Sequence, residues 1–138
     1  MAKSVNEVMT ANPCSIDADK PVSYAAKMMR DEDVGLAPIV EGDRLIGTVT
    51  DRDIAIRVVA EGRDPRDTTV EEVASHDVVS VDPEQELDEA LRLMAQHQVR
   101  RLPVVEEDGK LVGIVAQADV ARSASEKQTG SLVEDISK

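Results

Sequence analysis

The residues best suited to chemistry lie in the segment 47–53, GTVTDRD. Its first part has the pattern of a strand and its second part that of a helix start, and Asp53 follows Thr50 by three residues. The free N–H groups and positive dipole end of a helix suit phosphate or ribose oxygens. A carboxylate at Asp53 can accept both hydroxyls of a ribose, and the hydroxyl of Thr50 can bond to sugar or phosphate. The spacing therefore brings two groups suited to a sugar phosphate to one mouth.

The same spacing has a second, purely structural interpretation. Thr50-x-x-Asp53 is a variant of the capping box, in which a hydroxyl and a carboxylate satisfy free N–H groups at the start of a helix. Gly47 fits either interpretation, because a glycine lets a ligand or another backbone segment approach closely. The segment alone leaves both interpretations open.

This segment belongs to a unit that occurs twice in the chain. The stretch from Ser4 to about Gly62 returns from Thr69 to about Arg122, displaced by 65 residues and then by 66. The extra residue falls in a polar loop, where changes of length are tolerated. A tandem repeat of this size indicates a pseudo-two-fold molecule with its site between the halves. Differences between the two copies then indicate which site works.

Each copy predicts a short leading helix and then the order β-α-β-β-α, so the fold class is mixed α/β (α+β). Both leading helices begin with capping boxes, Ser4-x-x-Glu7 and Thr69-x-x-Glu72. The first crossover should be parallel and the hairpin antiparallel. The strands are predicted at 14–16, 37–40 and 45–50, with copies at 78–81, 102–105 and 111–116. The first long helix of each copy carries an apolar stripe of helical spacing, formed by Val22, Ala25, Ala26 and Met29 and by Leu87, Ala90, Leu91 and Met94.

Composition limits the classes of partner. A net charge of −12 and a pI near 4.5 oppose binding to nucleic acid, which needs a basic footprint. Tyr24 is the only aromatic residue, so there is no platform on which single-stranded bases could stack. The N-terminus has no apolar signal core, and no run approaches membrane-spanning length. The single Cys14 cannot form an internal disulfide, and we expect a cytoplasmic protein that binds neither nucleic acid nor membrane.

The repeat boundaries divide the chain into four parts. These are a first repeat at 1–62, a linker at 63–68, a second repeat at 69–123 and a polar tail at 124–138.

The repeat resembles the CBS domain, and the whole resembles its tandem pair, the Bateman module. The resemblance covers roughly 5–122 and rests on VGLAPIV with GTVTDRD and on VRRLPVV with GIVAQAD. Within the family the chain is most similar to small stand-alone bacterial CBS-pair proteins.

The resemblance implies two pseudo-symmetric repeats that pack through their sheets and form two clefts, which commonly bind adenosine-containing ligands. Carried over position by position, the first cleft would use Thr48, Thr50, Arg52 and Asp53 with Ala74, Val79, Val99 and Arg100. The second cleft would use Met9, Cys14, Val34, Arg101, Ile114 and Asp119. A lone cysteine is also a common small core residue, and for Cys14 that position is favoured.

The two implied clefts differ in useful ways. Ala116 stands where Thr50 stands in the first copy, so the second cleft lacks one hydroxyl. Leu36 occupies a position where the family often places a phosphate-binding cation. In the first cleft Arg52 or Arg100 would have to supply that positive charge. The arginines 100 and 101 could also simply bridge carboxylates or lie at a dimer interface. The first cleft, with its hydroxyl and carboxylate, is favoured over the second.

These features favour a regulatory module that senses AMP, ADP, ATP or another adenosyl ligand and signals to an unidentified protein partner. An interaction scaffold with vestigial clefts is the alternative. An enzyme of nucleotide metabolism is disfavoured because the sequence offers neither a nucleophile with its base nor metal-ligand spacing, so we expect no catalytic residue and no metal site. A homodimer is also expected, with its seam at Ile54, Val58 and Val59 unless these are buried within the monomer.

Overall fold

The structure is a computed structural model that describes residues 3–123. The predicted polar tail, 124–138, lies outside the described residues. In chain order the elements are α1 Val5–Val8, β1 Thr10–Ala11, β2 Ile16–Asp17, α2 Val22–Glu32, β3 Leu36–Glu41, β4 Arg44–Thr50, α3 Asp51–Ile54, a π-helical continuation Ala55–Val59, α4 Val70–Val73, α5 Leu87–His97, β5 Arg101–Val105, β6 Leu111–Ala116 and α6 at 117–123.

The described residues form two compact units, and these units cut across the sequence repeats. The first-repeat unit consists of residues 12–78 and 106–111. The second-repeat unit consists of residues 3–11, 79–105 and 112–123. Each unit therefore contains the leading helix of the other repeat, α4 in the first and α1 in the second.

Each unit contains a three-stranded sheet, ordered β2-β3-β4 in the first and β1-β6-β5 in the second. The pair β2/β3 is parallel and the hairpin β3/β4 is antiparallel, as the sequence predicts. Strand β1, which pairs antiparallel with β6, is not predicted by the sequence. The strand predicted at 78–81 is reduced to a single parallel bridge between Val81 and Val104, because only the residue 81 backbone exchanges hydrogen bonds with β5.

Apolar stripes on the two long helices supply the centres of the two cores. Helix α2 buries Val22, Ala25 and Met29, and α5 buries Leu87, Ala90 and Met94. Burial of each large aliphatic side chain contributes roughly 1.5–3 kcal/mol. Ala26 was expected in the stripe but is exposed, and Met28 is half-buried against the core instead.

The leading helices complete these cores. Val70 and Val73 of α4 are buried among the side chains of the first-repeat unit, and Val5 of α1 is buried in the second-repeat unit. Both predicted capping boxes are present. In α4 the Thr69 N–H donates to Glu72 at 2.7 Å, and this bond, followed by those from the Thr69 hydroxyl and Arg63, lowers the pKa of Glu72.

The predicted linker segment caps α2. This helix follows Pro21 and has no side-chain cap. Instead, the N–H groups of Val22 and Ser23 donate to the carbonyls of Thr68 at 2.8 Å and Pro65 at 3.0 Å. Free N–H groups at a helix start need acceptors, so the segment 63–68 stabilises the helix rather than serving only as a tether.

A glycine lets the chain that follows α4 pair with β4. Thr48 and Ser75 exchange two backbone hydrogen bonds, of 3.0 and 2.8 Å. A Cβ placed on the neighbouring Gly47 would lie 2.8 Å from the Ser75 carbonyl oxygen and 3.4 Å from the Ala74 Cβ. Real Cβ atoms essentially never come as close as the first of these distances, so this pairing requires glycine at position 47.

We expect Gly47→Ala to lower the free energy of unfolding by about 1–3 kcal/mol, the usual cost of forcing a methyl group into packed atoms. Urea denaturation measures the loss. Amide exchange should also become faster at Thr48 and Ser75, because their paired strands are pushed apart. Gly62→Ala is the control, since a Cβ there meets nothing within 4 Å, although its φ of +69° makes alanine strained. Unchanged exchange at Thr48 in Gly47→Ala would contradict the steric account.

Candidate functional site

The Thr50 and Asp53 side chains form a capping box at the end of β4. The Thr50 N–H donates to Asp53 Oδ2 at 2.9 Å, and the Asp53 N–H donates to Thr50 Oγ1 at 3.0 Å. The structural interpretation of this spacing is therefore confirmed. The two capping bonds leave hydrogen-bonding groups available on both side chains. The Thr50 hydroxyl, which accepts, still has its own proton to donate, and the Asp53 carboxylate has a second oxygen.

Arg57 faces that second oxygen. Its Nε lies 3.8 Å from Asp53 Oδ1, and the Asp53 side chain is 14% exposed. One guanidinium nitrogen, Nη1, also donates to the carbonyls of Val73 at 2.9 Å and Ala74 at 3.4 Å. Sequence reasoning missed this residue, although the spacing of Asp53 and Arg57 by four positions is that of an ion pair on a helix face.

The structure brings five of the predicted residues of the first site together in the first-repeat unit: Thr48, Thr50, Arg52, Asp53 and Ala74. Strand β4 carries the first two, the helix that follows it carries the next two, and the chain after α4 carries the last. The pairing of β4 with Ser75 sets Ala74 beside β4, and the Arg57 side chain links Ala74 to Asp53. Thr48 and Ala74 are buried, whereas Arg52 is exposed.

The other three predicted residues of that site, Val79, Val99 and Arg100, lie in the second-repeat unit. The two valines are half-buried and pack against the core of that unit. Arg100 is exposed, and its carbonyl accepts a hydrogen bond of 2.7 Å from the N–H of Gln117 at the start of α6. Their part in a site with Thr50 and Asp53 stays a prediction.

The second predicted site is less complete. Asp119 has no hydroxyl partner at Ala116, and its Oδ1 accepts a hydrogen bond of 3.0 Å from Arg122 instead. Ile114 pairs with Thr10, the residue after Met9, as part of the β1/β6 ladder. The second-repeat unit contains Met9, Arg101, Ile114 and Asp119, and the first-repeat unit contains Cys14 and Val34.

Cys14 is exposed, so its favoured assignment to the core is wrong. The predicted strand begins only at Ile16, two residues later, and Cys14 therefore lies outside the sheet.

Within residues 3–123 there is no group of three or more His, Cys, Asp or Glu side chains that could hold a metal ion. The helices of the same residues include none with the length and apolarity needed to cross a bilayer.

The sequence model of the CBS domain matches residues 5–60 and 70–126, which is most of the chain and both repeats. The chain belongs to the CBS-domain family. The CBS domain-containing protein YhcV of Bacillus subtilis is 44% identical to it over 97% of this chain and 95% of its own length. Hypoxic response protein 1 of Mycobacterium tuberculosis is 39% identical over 96% of this chain and 93% of its own length.

Solved structures that share the fold include one with bound zinc and one with bound AMP. The crystal structure of Hypoxic Response Protein I with two coordinated zinc ions matches with a TM-score of 0.81 at 40% identity, over 87% of this chain and 98% of that one. The crystal structure of CBSX2 in complex with AMP matches with a TM-score of 0.80 at 25% identity, over 91% of this chain and 98% of that one. The tandem-repeat architecture of mixed α/β class that the sequence predicts is thereby confirmed.

The unequal capping of the two copies predicts opposite effects of exchanging their residues. Thr50→Ala removes the side-chain acceptor of the Asp53 N–H and should lower the free energy of unfolding by about 0.5–2 kcal/mol. Ala116→Thr supplies the missing hydroxyl three residues before Asp119 and should raise it by a similar or smaller amount. Chemical denaturation of both variants tests this, and a destabilised Ala116→Thr would mean that the start of α6 has no room for a capping box.

Proposed function

We propose that the chain is a regulatory module, not an enzyme, that binds an adenosine-containing nucleotide such as AMP, ADP or ATP. The binding would alter its conformation, which an unidentified protein partner in the cytoplasm would detect. The observation that carries the proposal is the Thr50–Asp53 pair, which is fixed by its own capping bonds and retains a hydroxyl proton and a carboxylate oxygen for a ligand. Membership of the CBS family and the AMP complex of CBSX2 support the choice of ligand class.

Each group has a chemical task in this proposal. Asp53 Oδ1 accepts hydrogen bonds from the ribose hydroxyls, and the Thr50 hydroxyl donates to a ribose or phosphate oxygen. Arg52, which is exposed one residue before Asp53, supplies positive charge for the phosphate. The adenine ring would pack on aliphatic side chains, since the only aromatic residue, Tyr24, lies on α2. Arg100, Val79 and Val99 are proposed to complete the site.

The site around Asp119 is proposed to bind more weakly. Ala116 offers no hydroxyl there, so a ligand would make one hydrogen bond fewer than at Thr50. A lost hydrogen bond to a bound group costs about 0.5–1.5 kcal/mol.

A ligand that prefers the first site can regulate only if its affinity differs between two conformations of the protein.

The decisive test is AMP binding by wild type, Asp53→Asn and Asp119→Asn, measured by calorimetry. Asparagine at 53 can still accept from the Thr50 N–H but loses the charge. We expect Asp53→Asn to weaken binding about tenfold or more, because hydrogen bonds to charged groups contribute about 1.5–3 kcal/mol. Asp119→Asn should change the affinity of the stronger site by less than about twofold, because Asp119 belongs to the proposed weaker site.

The ligand supplies the control for this test. AMP without its 2′ and 3′ hydroxyls should bind wild type and Asp53→Asn equally, because nothing is left for the carboxylate to accept. Thermal unfolding gives a second measure, since a ligand at 100 times its dissociation constant adds about 2.7 kcal/mol of stability. No stabilisation by AMP, ADP, ATP, NAD or S-adenosylmethionine would contradict the sensor and favour the scaffold.

A homodimer is the second part of the proposal. Ile56 and Val59 lie one helical turn apart after α3 and are 53% and 69% exposed. The sequence expected the seam at Ile54, Val58 and Val59, but Val58 is fully buried in the core of the first-repeat unit and Ile54 packs partly against it. Of those three residues only Val59 is available, and we propose that it pairs with Ile56 in the dimer interface. This surface also favours a dimeric scaffold if neither site binds a nucleotide.

The double variant Ile56→Lys/Val59→Lys should shift the protein from dimer to monomer in sedimentation velocity at micromolar concentration. Charge at an apolar, two-fold interface meets the same charge on the partner copy. Ala26→Lys is the matched control, because it adds charge to an exposed helix face elsewhere. Dimer retained in the double variant would place the interface on another surface.

A further inference from the structure

The Arg57 side chain joins the two segments of the first-repeat unit that contain the proposed nucleotide-binding residues. We infer that it is a positioning residue, which holds the Asp53 carboxylate and the backbone at Ala74 in a fixed relation. The inference rests on the proposed function where it concerns the ligand, but the contacts themselves are independent of it.

The guanidinium is suited to this task because its donors are fixed in one plane. Nη1 donates to the carbonyls of Val73 and Ala74, at 2.9 and 3.4 Å, and Nε lies 3.8 Å from Asp53 Oδ1. Helix α4 is only one turn long, so its last carbonyls have no partners within the helix. Arg57 provides a donor that they would otherwise lack.

The backbone around Arg57 is also unusual. The N–H of Ala60 donates to the carbonyl of Ala55, and that of Arg63 to Val58, both at 2.9 Å. These bonds span five residues rather than four, which makes Ala55–Val59 a π-helical turn. Such turns inside helices are rare and occur frequently at functional sites. Here the turn carries the residue that contacts both Asp53 and α4.

The second repeat lacks this device. The displacement of 66 residues that aligns Asp53 with Asp119 aligns Arg57 with Ser123, which is buried. Serine cannot reach a carboxylate one turn away with a charged donor, and Asp119 is bonded to Arg122 instead. The positioning residue therefore occurs in the same repeat as the intact hydroxyl–carboxylate pair.

The effect of Arg57 is on orientation more than on stability. Its side chain is 48% exposed, and exposed ion pairs contribute little to folding. Asp53 Oδ2 is fixed by the Thr50 N–H, so a second group beside Oδ1 limits rotation of the carboxylate. A carboxylate that does not rotate presents one oxygen to a ligand without an additional entropic cost on binding.

The ligand test uses Arg57→Gln, Arg57→Lys and the control Arg63→Gln, which breaks an exposed pair with Glu72 at 2.8 Å in the same unit. Arg57→Gln should weaken AMP binding on the order of tenfold, as residues in one network commonly do. Arg57→Lys should not restore it, because an ammonium keeps the charge but not the planar fork. Arg63→Gln should leave binding unchanged, and full affinity in Arg57→Lys would overturn the inference.

A double-variant cycle separates positioning from an independent contact with the ligand. In an Asp53→Asn background, Arg57→Gln should weaken AMP binding by less than about twofold, because its effect acts through the carboxylate that has been removed. The same factor in both backgrounds would mean that Arg57 acts by another route and would overturn the inference.

Amide exchange in the ligand-free protein distinguishes failure of the inference from failure of the proposed function. The Thr50 N–H reports on Asp53 because it donates to that side chain. Its exchange should be on the order of tenfold faster in Arg57→Gln than in wild type and unchanged in Arg63→Gln. If wild type binds no nucleotide, the proposed function fails, and this measurement alone decides the role of Arg57. Unchanged exchange at Thr50 would reject it.

Discussion

The close approach of two backbones at a glycine is the constraint on which each unit depends. In the first-repeat unit Gly47 lets β4 pair with Ser75, and in the second-repeat unit a Cβ on Gly113 would lie 3.0 Å from the Thr10 carbonyl. In both units the segment that pairs there follows a leading helix whose valines fill the core. The glycine thus ties a helix from one repeat of the sequence to the sheet built from the other.

Local features of this fold follow from the sequence, and the exchange of leading helices does not. Capping boxes, apolar stripes and the hairpin are encoded by residues a few positions apart, such as Thr69 with Glu72. The core that α4 enters is set by long-range packing, and an apolar residue such as Val70 would fit either core equally well by composition. The domain boundaries drawn from the repeats therefore differ from the compact units, although both describe the same chain.

The candidate site shows the same division. The spacing of Thr50 and Asp53 allowed a capping box or a ligand site. The structure contains the capping box, whose bonds leave the Thr50 hydroxyl proton and Asp53 Oδ1 available to a ligand. For Arg57 a sequence pattern could predict only the ion pair with Asp53, because its other acceptors are backbone carbonyls 16 and 17 residues away. A sequence pattern shows only which side chains are present, so it cannot predict a hydrogen bond to the main chain of a distant segment. The sequence leaves Val58 open between a dimer seam and the core for a related reason, since a helix with apolar residues on several faces does not reveal which face is buried.

The two copies of the repeat share the same scaffold and differ in the side chains at corresponding positions. Both retain the glycine and the aspartate, because the first is needed for strand pairing and the second lies at a helix start. Only the first repeat has the hydroxyl of Thr50 and an arginine, Arg57, that contacts both the carboxylate and the backbone carbonyls at the end of α4. In that repeat the two side chains that cap the helix are also the ones proposed to bind ribose, so folding would orient them before a ligand arrives. Preorganisation of this kind lowers the entropic cost of binding, which is the physical reason for proposing the stronger site in the first repeat.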